Sequence, residues 1–181
     1  MSLDGFIAGP NVSPQHSMGD GGLRLHDWIF GSKTDIDTKV LNETLETSGA
    51  VVVGGRTYHV AINDAWKGVT PFQIPAFVVS HDVPEKLNEG FTFVPDGIES
   101  AIAQAKAVAG NKNIWVMGGA SIARQYIKAG ILDEIQIHLV PVLLGEGTRL
   151  FDQTGSKQIE LERTRMMESP GATHLKFRVI K

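Results

Sequence analysis

Residues 114–124 read Ile114-Trp115-Val116-Met117-Gly118-Gly119-Ala120-Ser121-Ile122-Ala123-Arg124. The unbroken apolar run Ile114 to Met117 predicts a short strand covered on both faces. Gly118 and Gly119 follow at once, and Ala120-Ser121-Ile122-Ala123 opens a helical pattern. Glycine adopts positive φ and has no side chain to hold a ligand off the backbone. A strand that hands two glycines to a helix start presents backbone N–H groups and the positive end of a dipole, a site for a phosphate. An ordinary tight turn between strand and helix reads the same way, because the full G-x-G-x-x-G fingerprint is absent. The same arrangement occurs earlier: Ala50-Val51-Val52-Val53 is a β-branched strand, and Gly54-Gly55-Arg56-Thr57-Tyr58 follows it. A guanidinium in such a turn pairs with phosphate in a planar, bidentate way, although a surface arginine in a loop has the same sequence. Two such turns in one chain favour a nucleotide with more than one phosphate.

Around these turns the pattern is α/β. Ala76 to Ser80 predicts a third buried strand, with Ser80-His81 at its C-terminal end, where open α/β sheets bind ligands. Phe91 to Val94 predicts a fourth. Asp96, with Glu99 three residues on, resembles a capping box, and Ile98, Ala101, Ile102, Ala105 and Ala109 give one helix face. The helix of the opening stretch is expected to run to about Ala129, with Gly130 as its C-cap. Upstream, Thr34 or Ser32 caps a helix through about Thr47, with Ile36, Val40, Leu41 and Leu45 as its apolar face. After Gly130 the period changes. Glu134 to Val142, residues 157–168 and residues 172–180 read as strands in succession, which predicts an antiparallel addition to the sheet. The expected fold is α/β: a central, mostly parallel sheet flanked by helices, with antiparallel C-terminal strands, in a single domain over 1–181.

Composition narrows the chemistry. Of 181 residues, 42% are hydrophobic and 20% charged, and the net charge is -3, the profile of a globular protein. No Lys/Arg block suggests a nucleic-acid surface. With no cysteine, disulfides and thiolate metal sites are excluded. No apolar run approaches the roughly 20 residues of a membrane span. Residues 1–9 hold Asp4 and no basic run, so no secretory signal is expected, and cytoplasm is the default location. The six histidines show no i, i+4 or HxH spacing, so no metal site is expected. Neither a Walker loop nor a G-x-S-x-G elbow is present, which removes support for nucleotide hydrolysis and acyl transfer.

The front of the chain supplies the remaining candidates. Phe6-Ile7-Ala8 looks like the end of a strand. A first core strand would be expected to carry an apolar segment before Ser2 as well. Residues 10–24 form a long loop rich in Gly, Pro, Asn and Ser, a length often tied to function. Leu25, Trp28, Ile29 and Phe30 form an apolar cluster after it, with Trp28 either lining a pocket or anchoring the core. Asp4, Asp27 and Asp37 are the candidate acids. A carboxylate at a strand exit orients a substrate or relays a proton, and Asp equally often binds turn amides.

Taken in order, five segments carry a family resemblance: Ser2-Leu3-Asp4-Gly5-Phe6-Ile7-Ala8, Gly55-Arg56-Thr57-Tyr58, the strand ending in Ser80-His81, Met117-Gly118-Gly119-Ala120-Ser121, and Asp133-Glu134 through Leu143-Leu144-Gly145-Glu146-Gly147-Thr148-Arg149-Leu150-Phe151. Over nearly its whole length the chain resembles the dihydrofolate reductase-like superfamily. Within it, the chain is most similar to the bacterial group that shares the C-terminal reductase domain of the riboflavin-biosynthesis deaminase/reductase. The resemblance implies an NADPH-dependent reductase of a small heterocycle, pteridine- or pyrimidine-like. It implies a pyrophosphate at Gly118, Gly119, Ala120, Ser121 and Ile122. Gly55, Arg56 and Thr57 would face the adenosine half, with Arg56 near a 2′-phosphate. Ser80 and His81 would lie near the adenosine ribose or its phosphate, and Ile7 and Ala8 would touch the nicotinamide. Asp4 is then the catalytic candidate, Trp28 and Asp37 the substrate-binding candidates, and the 10–24 loop the seal against water.

The chain departs from its relatives at two points. Folate reductases carry an acidic residue on the first long helix within a Pro-Trp and Phe-Lys signature. That signature is missing here, although the helix has Asp37 and Glu43. Basic residues for a substrate phosphate are sparse, with Arg24 alone in the first 30 positions. The family resemblance also implies a homodimer and no attached deaminase domain; the apolar alternation from Ile135 to Leu144 and the long final strands would supply such an interface, although a buried edge within one chain has the same pattern. A non-catalytic NADP(H)-binding or sensing protein is the alternative reading.

Overall fold

Four short β-branched runs assemble the parallel part of the molecule. The computed structural model describes residues 1–152, 154–155 and 158–181. They fall into two compact units, one of residues 12–17 and 43–123, the other of residues 1–11, 18–42 and 124–181.

In the first unit, β2 (Ser48–Gly54), β3 (Ala76–Val79), β4 (Phe91–Val94) and β5 (Asn113–Met117) form a sheet in the order β4-β3-β2-β5, parallel throughout. Val51 and Val53 pack with Tyr58 and Ile62 at α3 (Gly55–Ala61). Side chains alternate along a strand, so the equally buried Ala50 and Val52 face the other side. Helix α4 (Ile98–Ala109) packs on β2, β3 and β5 and buries Ala101, Ala105 and Ala109. Small alanines let the backbones approach closely here. The strand order puts the chain's change of direction between β2 and β5: β3 and β4 step away on one side, and β5 returns on the other. Ligands of open α/β sheets bind outside the strand ends at such a point.

The second unit is antiparallel. β1 (Phe6–Ala8) pairs with β7 (Thr148–Arg149). β6 (Glu134–Leu139), β8 (Leu161–Glu168) and β9 (Thr173–Val179) form a sheet in the order β6-β9-β8. The unit also includes a 3-10 turn at Gly22–His26, the short helix α1 (Asp27–Phe30), the start of α2 (Asp35–Thr47) and the end of α5 (Ala120–Lys128). Its core gathers Leu25, Trp28, Val140 and Ala172.

Several expectations change in detail. β5 is half-buried rather than covered on both faces, because it is the edge of its sheet. Phe30 is 83% exposed, and Ile36 and Leu45 are exposed as well. Val40 is buried as expected, and the unexpected member of the buried stripe of α2 is Asp37. Gly97, not Asp96, is the N-cap of α4, and no side chain caps it. The C-terminal antiparallel strands form a sheet of their own. The expected strand over 157–168 starts at Leu161, and its first position, Lys157, lies outside the described residues.

Candidate functional site

The glycine turns lie together at the carboxyl ends of β2 and β5. Val53 is in register with Met117, and Gly54 with Val79, so Gly54 and Gly118 leave adjacent strands at one level and Gly55 and Ser80 follow one residue on. Gly119 has φ +78°, and a Cβ there would stand 2.6 Å from Thr57 Oγ1. A Cβ on Gly55 would stand 2.7 Å from Ser80 Oγ. Only glycine lets these two turns approach so closely. Helix α5 begins directly behind Gly119, whose carbonyl accepts the Ala123 N–H at 3.1 Å. Ala120 and Ile122 are buried under the turn and Ser121 is exposed. The positive end of a nine-residue helix therefore points out of the strand ends. Arg56, in the first turn of α3, is exposed, with no hydrogen bond or ion pair among the described residues. The half-buried Ser80 donates its hydroxyl to Asp82 O at 2.9 Å, and His81 is exposed. A cradle that a single methyl group would fill, at a helix N-terminus and beside an unpaired guanidinium, fits the phosphates of a dinucleotide.

In the antiparallel unit, Asp4 is a tether. Its carboxylate accepts the Ser2 hydroxyl at 2.6 Å, the Gly145 N–H at 2.7 Å and the Leu144 N–H at 3.2 Å. The Ser2 hydroxyl above all, with the two amides, holds its pKa at about 2, so the group is ionised at neutral pH. Arg149 donates to Asp4 O at 2.8 Å and lies over the Phe6 ring. β1, with half-buried Ile7 and buried Ala8, is thereby locked to the 144–149 segment.

Trp28 is 4% exposed. With Arg24, Asp27, Ser32, Pro170 and Gly171 it lines a cavity of about 360 Å³, of the size that holds a small ligand. Arg24 and Asp27 are ion-paired at 3.0 Å on its rim. Asp37 is fully buried. It accepts the Thr34 N–H at 2.8 Å and hydroxyl at 2.7 Å, a capping box that starts α2. His174 Nε2 donates to its other oxygen at 2.9 Å. Burial pushes the Asp37 carboxyl up, but the bonds from Thr34, Ser169 and His174 outweigh it and hold the pKa at about 2.

The structure adds two residues that sequence reading passed over, His138 and His174. They face each other across the β6–β9 register, Nδ1 to Nδ1 at 2.8 Å. Trp28 packs on both rings, at centroid distances of 4.5 and 4.9 Å. Burial, then the neighbouring His174, pushes the His138 imidazole down to about 3. The signal was present as two histidines on strands that pair, but the pairing register was not readable. The 10–24 loop is pinned at its base, where Gly9 N–H donates to Met18 O and Asp20 N–H to Pro10 O. Within the parallel-sheet unit, Ser17 N–H donates to Asp64 at 3.1 Å. No group of three or more histidines or carboxylates suited to a metal occurs among the described residues.

Known proteins match this chain over most or all of its length. The chain is 31% identical over 170 residues to the uncharacterized protein YwjB of Bacillus subtilis (strain 168), covering 91% of this chain and 87% of that protein. It is 29% identical to the uncharacterized protein YyaP of the same organism, covering 83% and 76%. Among solved structures, a protein of Shewanella sp. PV-4 assigned to riboflavin biosynthesis has TM-score 0.75 and 22% identity, covering 100% of this chain and 96% of that one. A pyrimidine reductase-like protein of Corynebacterium diphtheriae has TM-score 0.63 and 15% identity, covering 100% and 89%. These structural likenesses fix the fold, dihydrofolate reductase-like α/β with antiparallel C-terminal strands. The model of the RibD C-terminal domain matches residues 1–175, and the chain belongs to that family.

Proposed function

We propose that the chain is an NADPH-dependent reductase that transfers a hydride to a small heterocycle, pteridine- or pyrimidine-like. The observation that carries this reading is the glycine cradle at the carboxyl ends of β2 and β5, with Gly119 against Thr57 and Gly55 against Ser80. A bound nicotinamide would supply the hydride; the fold's part is to hold and align it. Gly118, Gly119, Ala120, Ser121 and Ile122 hold the pyrophosphate. Arg56 pairs with a 2′-phosphate, with Thr57, Ser80 and His81 along the adenosine half. Ile7 and Ala8 of β1 meet the nicotinamide ring, and the cavity beside Trp28 takes the substrate. Asp4, ionised and triply bonded, serves by fixing β1 to the 144–145 turn rather than by giving up a proton. Asp37 acts from behind Trp28, through His174. The match to the RibD C-terminal family and the likeness to a pyrimidine reductase-like fold support the substrate class. We place the protein in the cytoplasm and expect a homodimer.

One observation favours a second reading, a NADP(H)-binding or sensing protein without turnover: both candidate carboxylates, Asp4 and Asp37, are already committed to protein partners. A panel of pterins, aminopyrimidines and quinones, assayed by NADPH oxidation, separates the two. Oxidation with a pterin or aminopyrimidine supports the reductase. NADPH binding without oxidation of any acceptor supports the sensor.

A further inference from the structure

The first turn of α3 carries Arg56 and Thr57 of the cradle, yet no side chain caps it: Gly54 is its N-cap and makes no capping bond. The next residue, Tyr58, is 5% exposed. Its ring meets Phe91 and Phe93 edge-on, at centroid distances of 5.0 and 4.9 Å, and packs among Val51, Val53, Ile62 and Val78. A phenylalanine would fill that space with no hydroxyl to desolvate, so packing does not account for a tyrosine here. The hydroxyl has a partner of its own. It donates to Asn88 Oδ1 at 2.6 Å, and Asn88 Nδ2 donates in turn to the Gly68 carbonyl at 2.8 Å. Asn88 lies in the connection between β3 and β4. Residues 81–87 of that connection are all exposed, whereas Asn88 is half-buried. Its carbonyl accepts the Phe91 N–H at 3.4 Å where β4 begins. Two residues on, Gly90 packs against Thr70, where a Cβ would clash. One side-chain amide and its main chain thus join three segments: α3 through Tyr58, the 63–75 loop through Gly68, and the start of β4. All three belong to the parallel-sheet unit that holds the cradle.

We propose, resting on the NADPH reading of the cradle, that Asn88 is a positioning residue for the 2′-phosphate: by holding the Tyr58 hydroxyl it sets the roll of α3, and so where the Arg56 guanidinium stands. Apolar packing is non-directional and fixes the body of the Tyr58 ring without fixing its tip. A hydrogen bond is directional and fixes the tip as well. Tyr58 follows Arg56 by two residues on a helix of seven, so a roll at one is a roll at the other. Bidentate pairing of a guanidinium with a phosphate tolerates little misplacement. Asn88 acts through Tyr58 and does not itself meet the cofactor. The pyrophosphate turn at Gly118 to Ile122 stands on another strand and another helix. Loss of the Tyr58–Asn88 bond therefore falls on NADPH and spares NADH, which has no 2′-phosphate.

Fluorescence titrations of the full chain with NADPH and with NADH test the role. Tyr58→Phe and Asn88→Leu should each lower the ratio of NADPH to NADH affinity by about fivefold, the worth of one ordinary hydrogen bond. The loss should come from weaker NADPH binding at unchanged NADH binding. The double variant should lose no more than the worse single one, because both remove the same bond. Asn88→Asp keeps an acceptor for the tyrosine and should keep the wild-type ratio, while its lost donor to Gly68 lowers the urea midpoint. A purely structural Asn88 gives another pattern: lower urea midpoints with the ratio unchanged, or the two cofactors weakened alike. Either result overturns the role, and so do additive losses in the double variant. Arg56→Ala separates this from the reading beneath it. A wild-type chain that binds no NADPH, or whose preference survives Arg56→Ala, sinks the cradle reading and the role of Asn88 with it. A preference abolished by Arg56→Ala but kept by Tyr58→Phe and Asn88→Leu sinks the role of Asn88 alone.

Discussion

At Gly119 a side chain and the neighbouring turn compete for one space. Gly119→Ala would put a methyl 2.6 Å from Thr57 Oγ1 at φ +78°. Gly118→Ala has a similar positive φ, +56°, but meets nothing within 4 Å. Both variants should lose about 1 kcal/mol of stability to left-handed strain, read from urea midpoints. Gly119→Ala, which also clashes with Thr57, should weaken NADPH binding by tenfold or more in a titration, and by more than Gly118→Ala. Equal affinities would remove the cradle from the account. His138 gives a second prediction. Burial pushes its folded pKa down to about 3, below the ordinary imidazole value of 6.5. Below pH 6.5 the unfolded chain takes up a proton that the folded chain refuses. Stability therefore falls as pH drops from 6.5 toward 3, by up to about 1.4 kcal/mol per pH unit. His138→Gln should flatten that slope in urea melts at pH 7 and pH 5, and an unchanged slope would contradict the assignment. The glycine pairs were legible in the sequence because their signal is local: strand, two glycines, helix. The histidine pair was not, because His138 and His174 are 36 positions apart and meet only through a strand register.

Among the elements, α2 shows best what periodicity reads and what it misses. The apolar positions predicted a face at Ile36, Val40, Leu41 and Leu45, and Thr34 was one of two candidate caps, with Ser32. Yet the helix turns Asp37 and Val40 inward and leaves Ile36 and Leu45 exposed. A hydrophobic pattern counts a carboxylate as a surface residue, and it cannot know that Thr34, Ser169 and His174 wait for it. Thr34→Ala removes one side of the capping box and should cost about 1 kcal/mol. Asp37→Ala leaves the Thr34 and His174 donors without an acceptor and should cost about 2 to 3 kcal/mol. Denaturant melts of the two variants check the order. If Asp37→Ala is the milder, the carboxylate is not the organiser of this helix start. Strand β5 erred the other way. Its apolar run looked doubly covered, but an edge position leaves it half exposed.

For the whole molecule, the parallel run of strands and the antiparallel ending were both readable, because each rests on the spacing of apolar residues. Where the second group hydrogen-bonds was not, and it forms its own sheet. One face of that sheet carries Ile135, Ile137, Leu139, Leu175 and Phe177; Ile137 is buried and the other four are half-buried, with Leu161 and Met166 exposed. A homodimer would cover such a face. Light scattering should then give twice 19.6 kDa, and the mass of one chain would contradict the dimer. The central claim, a dinucleotide cradle between two glycine turns, is tested most directly by titrating the intact chain with NADPH and following the dihydronicotinamide fluorescence. Saturable one-site binding at micromolar concentration, stronger than for NADH and losing that preference in Arg56→Ala, is the predicted result. No fluorescence change, or equal binding of the two cofactors unaltered by Arg56→Ala, would contradict it.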